Sequence, residues 1–242
     1  MKAISTPTRM LSMVVIAFVL INTSLSFPCP STMARTGRKI PVLVVSRLHQ
    51  TASFDFSAPS EWETFYQTTS EVVEWHNSIP LERIASYVPG NAKVLLVGCG
   101  NSRLPATILA SCQDPQVVLL DSSPTCLEQL KGIYGSSVEN VCGNAVDLDS
   151  LFPDESFDMI IDKGLSDAIF CSEGWDSTIQ KLFEGATKVL KQNGKYLLIS
   201  YKLPKSTKSF LVEEAECGLE WEFDLPKDSN DRVGVSLATR QA

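Results

Sequence analysis

The amino-acid sequence predicts a doubly wound α/β fold, in which a mostly parallel sheet is covered by helices on both faces. Short apolar runs typical of buried strands alternate with helical segments from residue 80 to about residue 201. Strands buried on both faces appear as continuous apolar runs, and a helix between two of them returns the next strand in parallel. Apolar residues make up 44% of the 242-residue chain and charged residues 20%, a composition typical of a globular protein.

The first half of this pattern alternates helices and strands. Pro80 indicates a helix start because proline is favoured in the first helical turn. Ser123 as N-cap and Pro124 at the first helical position indicate another start. In chain order we predict helix Pro80–Val88, strand Lys93–Val97, helix Leu104–Ser111, strand Gln116–Leu120, helix Pro124–Tyr134 and strand Val138–Cys142.

The second half contains one long helix and four strands. Apolar residues recur at helical spacing between Asp176 and Lys191, and Asn193-Gly194 is expected to stop this helix. The predicted strands are Phe157–Ile161 and Lys195–Tyr201, followed by the closing strands Trp221–Leu225 and Val233–Thr239.

Glycine and polar residues follow the predicted parallel strands. Ligands of such sheets bind beyond the carboxyl ends of the strands, which makes these residues candidates for a site. They are Gly98, Cys99, Gly100 and Asn101 after the first strand, Asp121 and Ser122 after the second, Asn144 and Ala145 after the third, and Asp162, Lys163 and Asp167 after the fourth.

The first two strand ends favour a ligand that carries a ribose. The turn Gly98–Gly100 lets backbone amides approach a ligand at a helix N-terminus, and Asp121 is placed to accept hydrogen bonds from ribose hydroxyls. Arg103 stands where a dinucleotide-binding turn has its third glycine, so an NAD site is disfavoured. An ordinary tight turn and a helix-capping aspartate are the alternatives for these residues.

The next two strand ends offer groups for a base and for a cation. The Asn144 carboxamide could accept from an adenine amino group while the Ala145 amide donates to a ring nitrogen, with a simple loop turn as the alternative. Asp162 and Asp167 could hold or orient a cationic substrate. A helix-capping Asp167 and a surface Lys163 are the alternatives here.

Four aromatic residues, Trp62, Phe65, Tyr66 and Trp75, precede the predicted sheet. The first three share a helical face. Such side chains commonly pack on the edge of a sheet. They could also form a lid that stacks on a methylated cation or a sulfonium.

Charge is unevenly distributed along the chain. Residues 1–54 hold six basic residues and no acid, whereas residues 55–242 hold 15 basic and 28 acidic residues, a net charge of −13. This acidic body is a poor match for nucleic acid, and it fits a basic protein surface or a cationic substrate, with improved solubility as the alternative. The seven cysteines show no CxxC spacing and the two histidines are His49 and His76, so we expect no metal site and no disulfide framework.

The first 54 residues have the features of a targeting presequence. An apolar stretch of 11 residues, Leu11–Ile21, follows two basic residues, which predicts a signal peptide over 1–26, with a membrane anchor as the alternative. Residues 27–54 are rich in Ser, Thr and Arg, as transit peptides are. The combination resembles the bipartite plastid presequences of algae with secondary plastids, and a mitochondrial or secretory destination is the alternative. The domain itself is predicted over 55–242.

Six segments carry a resemblance to a known family: Glu61–Tyr66, Val73–Trp75, Val94–Ser102, Leu120–Ser123, Phe152–Ala168 and Gly194–Ser200. The pairing of GCGNS at 98–102 with DKGLSDA at 162–168 is the most specific part. Together the segments resemble a class I S-adenosylmethionine-dependent methyltransferase, and within that class the eukaryotic elongation factor 1A lysine and N-terminal methyltransferase family.

The resemblance implies a Rossmann-like sheet of seven strands whose final strand is antiparallel, and it implies S-adenosyl-L-methionine as cofactor. It assigns Asp121 to the ribose and Asp162 and Lys163 to the border of the methyl-transfer site. The remaining assignments are Gly98, Cys99 and Gly100 to the methionine end of the cofactor, Asn144 and Ala145 to the adenine, and Trp62, Tyr66 and Trp75 to an N-terminal lid.

The sequence departs from the family pattern at three places. Asn144 stands where the family has an acid, and Leu165-Ser166 stands where it usually has Thr-Leu. The segment between the fifth and sixth strands is short. The last two departures concern the substrate side of the site.

The resemblance implies methyl transfer to a protein amine, either a lysine or an N-terminus, on an elongation factor or an organelle protein. A small-molecule methyltransferase and a non-catalytic partner protein of the same fold are the alternatives. No nucleic-acid partner is expected, and no membrane association once the presequence is removed. The oligomeric state stays open.

Overall fold

The structure is a computed structural model that describes residues 54–215, 217–226 and 232–241. The predicted presequence therefore lies outside the described residues, apart from Phe54. One sheet of seven strands has the order β3-β2-β1-β4-β5-β7-β6. The strands are β1 (Lys93–Val97), β2 (Gln116–Asp121), β3 (Glu139–Cys142), β4 (Phe157–Lys163), β5 (Leu190–Tyr201), β6 (Leu219–Leu225) and β7 (Val233–Arg240).

Five neighbouring strands run in parallel and the seventh runs against them. β1 pairs in parallel with both β2 and β4, and the parallel pairing continues to β3 and β5. β7 pairs antiparallel with β5 and with β6. The predicted doubly wound sheet with an antiparallel final strand is confirmed. The order reverses between β1 and β4, and ligands of such sheets bind at this switch point.

Helices cover both faces of the sheet. They are α1 (Pro59–Thr68), α2 (Leu81–Ala85), α3 (Leu104–Ser111), α4 (Pro124–Tyr134), α5 (Leu148–Leu151), α6 (Leu165–Ile169), α7 (Trp175–Val189) and α8 (Lys205–Ser209). As the sequence predicts, the Ser123 hydroxyl caps α4 by accepting from the backbone N–H of Cys126 at 3.1 Å. Within the described residues, none of these helices has the length and apolarity needed to cross a bilayer.

The core consists of two layers, one on each face of the sheet. Side chains alternate along a strand, so Leu96 of β1 enters one layer and Leu95 enters the other. The Leu96 layer is closed by α1, α2, α3 and α4, through residues such as Ile84 and Ile108. The Leu95 layer is closed mainly by α7, through residues such as Phe183. Both layers support the strand ends at which the candidate residues lie.

The long helix ends two residues earlier than predicted. α7 ends at Val189, and Asn193-Gly194 lies inside β5. β4 pairs first with Leu190 and then with Lys195, so the intervening residues form an irregularity in which Asn193 has a φ of +61°. The Asn-Gly signal therefore marks a bulge in a strand, because tertiary pairing of β5 begins earlier than the helical pattern suggests.

Candidate cofactor and substrate site

A cavity of about 1140 Å³ opens at the carboxyl ends of β1 to β4. It contacts twelve of the fourteen predicted site residues. The residues that the structure brings together there are Trp62, Tyr66, Trp75, Gly98, Cys99, Gly100, Asp121, Ser122, Asn144, Ala145, Lys163 and Asp167. Asn101 and Asp162 are the two that do not line it.

The turn after β1 leaves no room for side chains at its two glycines. Gly98 and Gly100 have φ values of +54° and +51°, a conformation that favours glycine. A Cβ on Gly100 would lie 2.8 Å from the hydroxyl oxygen of Tyr66. The N–H of Cys99 donates to the Leu120 carbonyl at 3.1 Å, which fixes the turn to β2. The turn thus exposes backbone to the cavity at close range.

Asp121 connects this turn to the start of α4. One carboxylate oxygen accepts from the N–H of Gly100 at 2.9 Å, and the other accepts from the N–H of Ser123 at 3.0 Å. The residue is only 7% exposed, and burial raises the pKa of Asp121 even though these backbone bonds oppose the rise. Since a carboxylate offers about four acceptor positions, it retains capacity for further donors from the cavity.

The third strand end holds a tight turn. Asn144 is exposed, and its side-chain oxygen accepts from the N–H of Val146 at 3.2 Å. This is the hydrogen bond of a turn residue, which was the alternative interpretation of Asn144. Ala145 is buried, and both residues still line the cavity.

The aromatic residues form one wall of the cavity and also pack on the fold. Trp62 and Tyr66 stack at 6.4 Å, and Trp75 meets Trp62 edge-on at 5.8 Å. Phe65 is buried in the core. Phe54, which the expected domain boundary assigns to the presequence, packs against Trp62 at 5.1 Å. Burial raises the pKa of Tyr66 well above its usual value, so its hydroxyl stays neutral.

The segment from α1 to Trp75, here called the lid, is held by polar contacts with the sheet side. Glu63 accepts from the Ser123 and Thr125 hydroxyls, each at 2.5 Å, at the N-terminus of α4. Asn101 accepts from the N–H of Val73 at 2.9 Å and donates to the Glu71 carbonyl at 2.7 Å. The predicted cofactor residue Asn101 therefore anchors the lid.

The side chain of Lys163 is buried, which contradicts the surface alternative. Its side chain is 7% exposed, and its Nζ lies 3.1 Å from Oε2 of Glu74 and 3.0 Å from the Trp75 carbonyl. Burial lowers the pKa of Lys163, while Glu74 acts in the opposite direction. The lysine thus joins the end of β4 to the lid.

Asp162 does not line the cavity, although the resemblance assigns it to the border of the methyl-transfer site. The residue is fully buried. Its carboxylate accepts from the backbone N–H of Leu165 at 2.9 Å, from the Ser166 hydroxyl at 2.5 Å and from the Tyr196 hydroxyl at 2.9 Å. Burial raises the pKa of Asp162 to about 6. Asp162 therefore fixes α6, and with it the position of Asp167.

His76 lines the cavity but was not predicted from the sequence to be functional. Its Nε2 lies 2.7 Å from Oδ2 of Asp167, and both residues line the cavity. The backbone N–H of Tyr201 donates to the same carboxylate at 3.3 Å. The available signal was that His76 directly follows the aromatic segment, but its partner is 91 residues away.

Comparison with known proteins shows what this chain is similar to. Residues 94–194 match a protein-family model described as a methyltransferase domain. The eEF1A lysine and N-terminal methyltransferases of Mus musculus and Bos taurus are 30% and 32% identical to this chain over 156 and 158 residues. These matches cover 62% of this chain and 22% of each relative, so the chain spans about a fifth of the length of these relatives.

Solved structures share the fold. A TehB-like SAM-dependent methyltransferase from Corynebacterium glutamicum superimposes with a TM-score of 0.55 at 18% identity, covering 76% of this chain and all of that one. A Burkholderia thailandensis 1,6-didemethyltoxoflavin-N1-methyltransferase, solved with S-adenosylhomocysteine, gives 0.54 at 14% identity and covers 85% of this chain and 92% of that one. The fold is that of class I methyltransferases.

Proposed function

Because the chain carries the domain of a class I S-adenosylmethionine-dependent methyltransferase, we propose that it methylates an amine of a protein, either a lysine side chain or an N-terminus. The observation that carries this proposal is a single cavity with two different halves. One half contains the glycine turn and Asp121, and the other contains Asp167 under the aromatic lid. The relatives named for lysine and N-terminal methylation support an amine as acceptor.

The cofactor of such a domain is S-adenosyl-L-methionine, and the first half of the cavity has groups that fit it. We assign Gly98 and Gly100 to its methionine end, where a Cβ would make close contacts with Leu165 and Tyr66, and Asp121 to its ribose. Ala145, with Asn144 beside it, is assigned to the adenine. When bound, this cofactor supplies a methyl group on a sulfonium that is already activated for displacement.

In this proposal the protein mainly aligns and desolvates the acceptor amine. Alignment contributes up to about 7–11 kcal/mol in favourable cases. A lysine amine has a reference pKa of about 10.4, so it must lose a proton before it attacks, and an aromatic wall favours the neutral form by desolvation. Lys163 is already bound to Glu74, which assigns it to holding the lid against the mouth of the cavity.

Calorimetric titration of the protein with S-adenosylmethionine and S-adenosylhomocysteine tests the cofactor half. We expect micromolar binding that Asp121→Ala removes. Asp121→Asn is the matched control, because it keeps an acceptor oxygen at the same place, and we expect it to retain part of the affinity. Unchanged affinity in Asp121→Ala would overturn the ribose assignment.

Transfer of a labelled methyl group to proteins of a cell extract tests the acceptor. We expect label on a protein band, with mass spectrometry locating it on a lysine or an N-terminal amine. Label confined to small molecules would replace the proposal by the small-molecule alternative. Cofactor binding without any transfer would favour a non-catalytic partner protein.

Residues 1–54 concern the destination of the protein in the cell. We propose that residues 1–54 direct it to a plastid, in which case its acceptor is an organelle protein. Fusing these residues to a fluorescent protein and observing where it accumulates tests this, and accumulation in mitochondria or secretion would contradict it.

A further inference from the structure

Lys163 brings a positive charge into the wall of the cavity. Of the lysines and arginines in the part of the chain that the structure describes, it alone lines the cavity. Its side chain is only 7% exposed, so water screens this charge weakly. A cofactor that carries a sulfonium adds a second positive charge to the same cavity. The cavity therefore needs a group that compensates the lysine.

Glu74 is the counter-ion of Lys163 and does not itself line the cavity. Its Oε2 lies 3.1 Å from Nζ of the lysine. The Ser102 hydroxyl donates to the same oxygen at 3.0 Å, and the backbone N–H of Arg103 donates to Oε1 at 2.5 Å. The last two donors come from the residues just before α3. They fix the carboxylate beside the ammonium, so the compensating charge is in place without a ligand.

We propose that Glu74 is a positioning residue that lets the cavity accept the sulfonium of S-adenosylmethionine, because it neutralises the charge of Lys163. The inference rests on the cofactor assigned in the proposed function and deepens it. Glu74 acts through Lys163 and not through contact with the cofactor. It determines the affinity for S-adenosylmethionine relative to that for S-adenosylhomocysteine, whose sulfur is uncharged.

The lid keeps other attachments when the Glu74 carboxylate is removed. The Lys163 ammonium also donates to the Trp75 carbonyl at 3.0 Å, and Asn101 accepts from the N–H of Val73 at 2.9 Å. Removing the carboxylate therefore leaves these contacts and leaves a buried ammonium without its counter-ion. Two like charges about 10 Å apart, at an effective dielectric constant of about 20, repel enough to lower an affinity by about tenfold.

The acidic residues of the cavity are the other source of charge that a sulfonium meets. They are Asp55, Asp121, Asp167 and Glu173. Their contribution is common to the wild type and to every variant of the Glu74–Lys163 pair. A difference between these proteins in the preference for one ligand therefore reports the pair.

The test compares two ligands that differ in charge at one atom. S-adenosylmethionine has a methyl group on a positively charged sulfur, and S-adenosylhomocysteine has an uncharged thioether in the same place. The dissociation constants of both are measured by calorimetry at neutral pH, and their ratio is the readout. Loosening of the lid lowers both affinities, whereas a change in the charge of the cavity moves the ratio.

Three variants change the charge of the pair in different ways. Glu74→Gln leaves Lys163 unpaired, so we expect S-adenosylmethionine to lose about tenfold more affinity than S-adenosylhomocysteine. Lys163→Met leaves Glu74 unpaired, so the ratio should move about tenfold in the opposite direction. The double variant Glu74→Gln/Lys163→Met lacks both charges, and its ratio should return to the wild-type value.

Two matched controls separate charge from hydrogen bonding. Glu74→Asp keeps the negative charge on a shorter side chain. Ser102→Ala removes a hydrogen bond to Glu74 without changing any charge. Both controls should keep the wild-type ratio, even where they lower the affinity for both ligands.

An unchanged ratio in Glu74→Gln would overturn the proposal, and so would shifts of the same sign in the two single variants or a double variant that stays shifted. If one single variant fails to fold, the other is compared with the double variant. The double variant is expected to fold, because replacing both partners of a buried ion pair costs less than removing one. Failure of the proposed function is a different result, in which the wild type binds neither ligand.

Discussion

Gly100 has the least room of the residues in the turn after β1, because the hydroxyl of Tyr66 lies directly over it. Gly100→Ala would combine a positive φ with a Cβ at 2.8 Å from that oxygen. We expect the variant to displace Tyr66 and to weaken S-adenosylmethionine binding by tenfold or more, as calorimetry would show. Gly135→Ala is the matched control, since Gly135 has a φ of +55° but no atom within 4 Å of the added Cβ. Similar losses in both variants would attribute the effect to backbone strain alone.

Single residues also show what the sequence could and could not predict about the site. The ends of buried strands are recognisable as apolar runs, and they predicted Gly98, Gly100 and Asp121 in one cavity. The burial of Asp162 was not predicted, because its hydrogen bond with Tyr196 joins residues that are 34 apart in the sequence. His76 was missed because its chemistry depends on Asp167, and no local pattern records a contact over 91 residues.

Helix α1 is attached to the domain through Glu63, which accepts from two hydroxyls at the N-terminus of α4. A carboxylate is stabilised at the positive end of a helix. Hydrogen bonds from Ser123 and then Thr125 lower the pKa of Glu63. The contact therefore stabilises the attachment of the lid fully at pH values above the usual glutamate pKa. This stabilisation is lost as the pH falls through the lowered pKa.

Removing this carboxylate should therefore loosen the lid without unfolding the sheet. We expect Glu63→Ala to accelerate amide hydrogen exchange in residues 59–68, while exchange in β1 and β4 stays unchanged. Glu61→Ala, on the same helix, is the matched control and should change exchange much less. Faster exchange throughout the domain would show that Glu63 supports the whole fold.

Strong local signals predicted the strands and the helices α3, α4 and α7 closely. By contrast, α2 ends three residues before the predicted Val88, and the shorter helices were not predicted. β1, α3 and α4 have the predicted bounds, since apolar runs and the Ser-Pro start define them. α5 and α6 have only four and five residues, too few to show helical periodicity. Their positions follow from tertiary contacts, as in the capping of α6 by Asp162.

Asp162 makes the folding stability of the domain depend on pH. Its folded pKa of about 6 lies above the ordinary aspartate pKa of 3.8, so the folded state binds more protons between these two values. Stability should fall as the pH rises from about 4 to about 6, by on the order of 2–3 kcal/mol for this group. Below this range the contribution of Asp162 is constant.

Urea unfolding of the wild type and of Asp162→Asn across that range measures this contribution. The variant cannot ionise, so we expect its free energy of unfolding to lack this fall and to exceed that of the wild type most near neutral pH. Asp176→Asn, at an exposed position of α7, should follow the wild type. Parallel curves for wild type and Asp162→Asn would contradict the buried, ionisable aspartate.

The contacts that attach the lid, and those of His76 directly after it, have a consequence for the order of folding. Glu63 meets its partners about 60 residues later, Glu74 meets Lys163 after 89 residues, and His76 meets Asp167 after 91. During synthesis, the lid therefore leaves the ribosome long before the strand ends that it will cover. Closing such long loops costs entropy that only a formed sheet can offset. We expect the binding cavity to be completed last during folding and to open first when the protein is heated or challenged with protease.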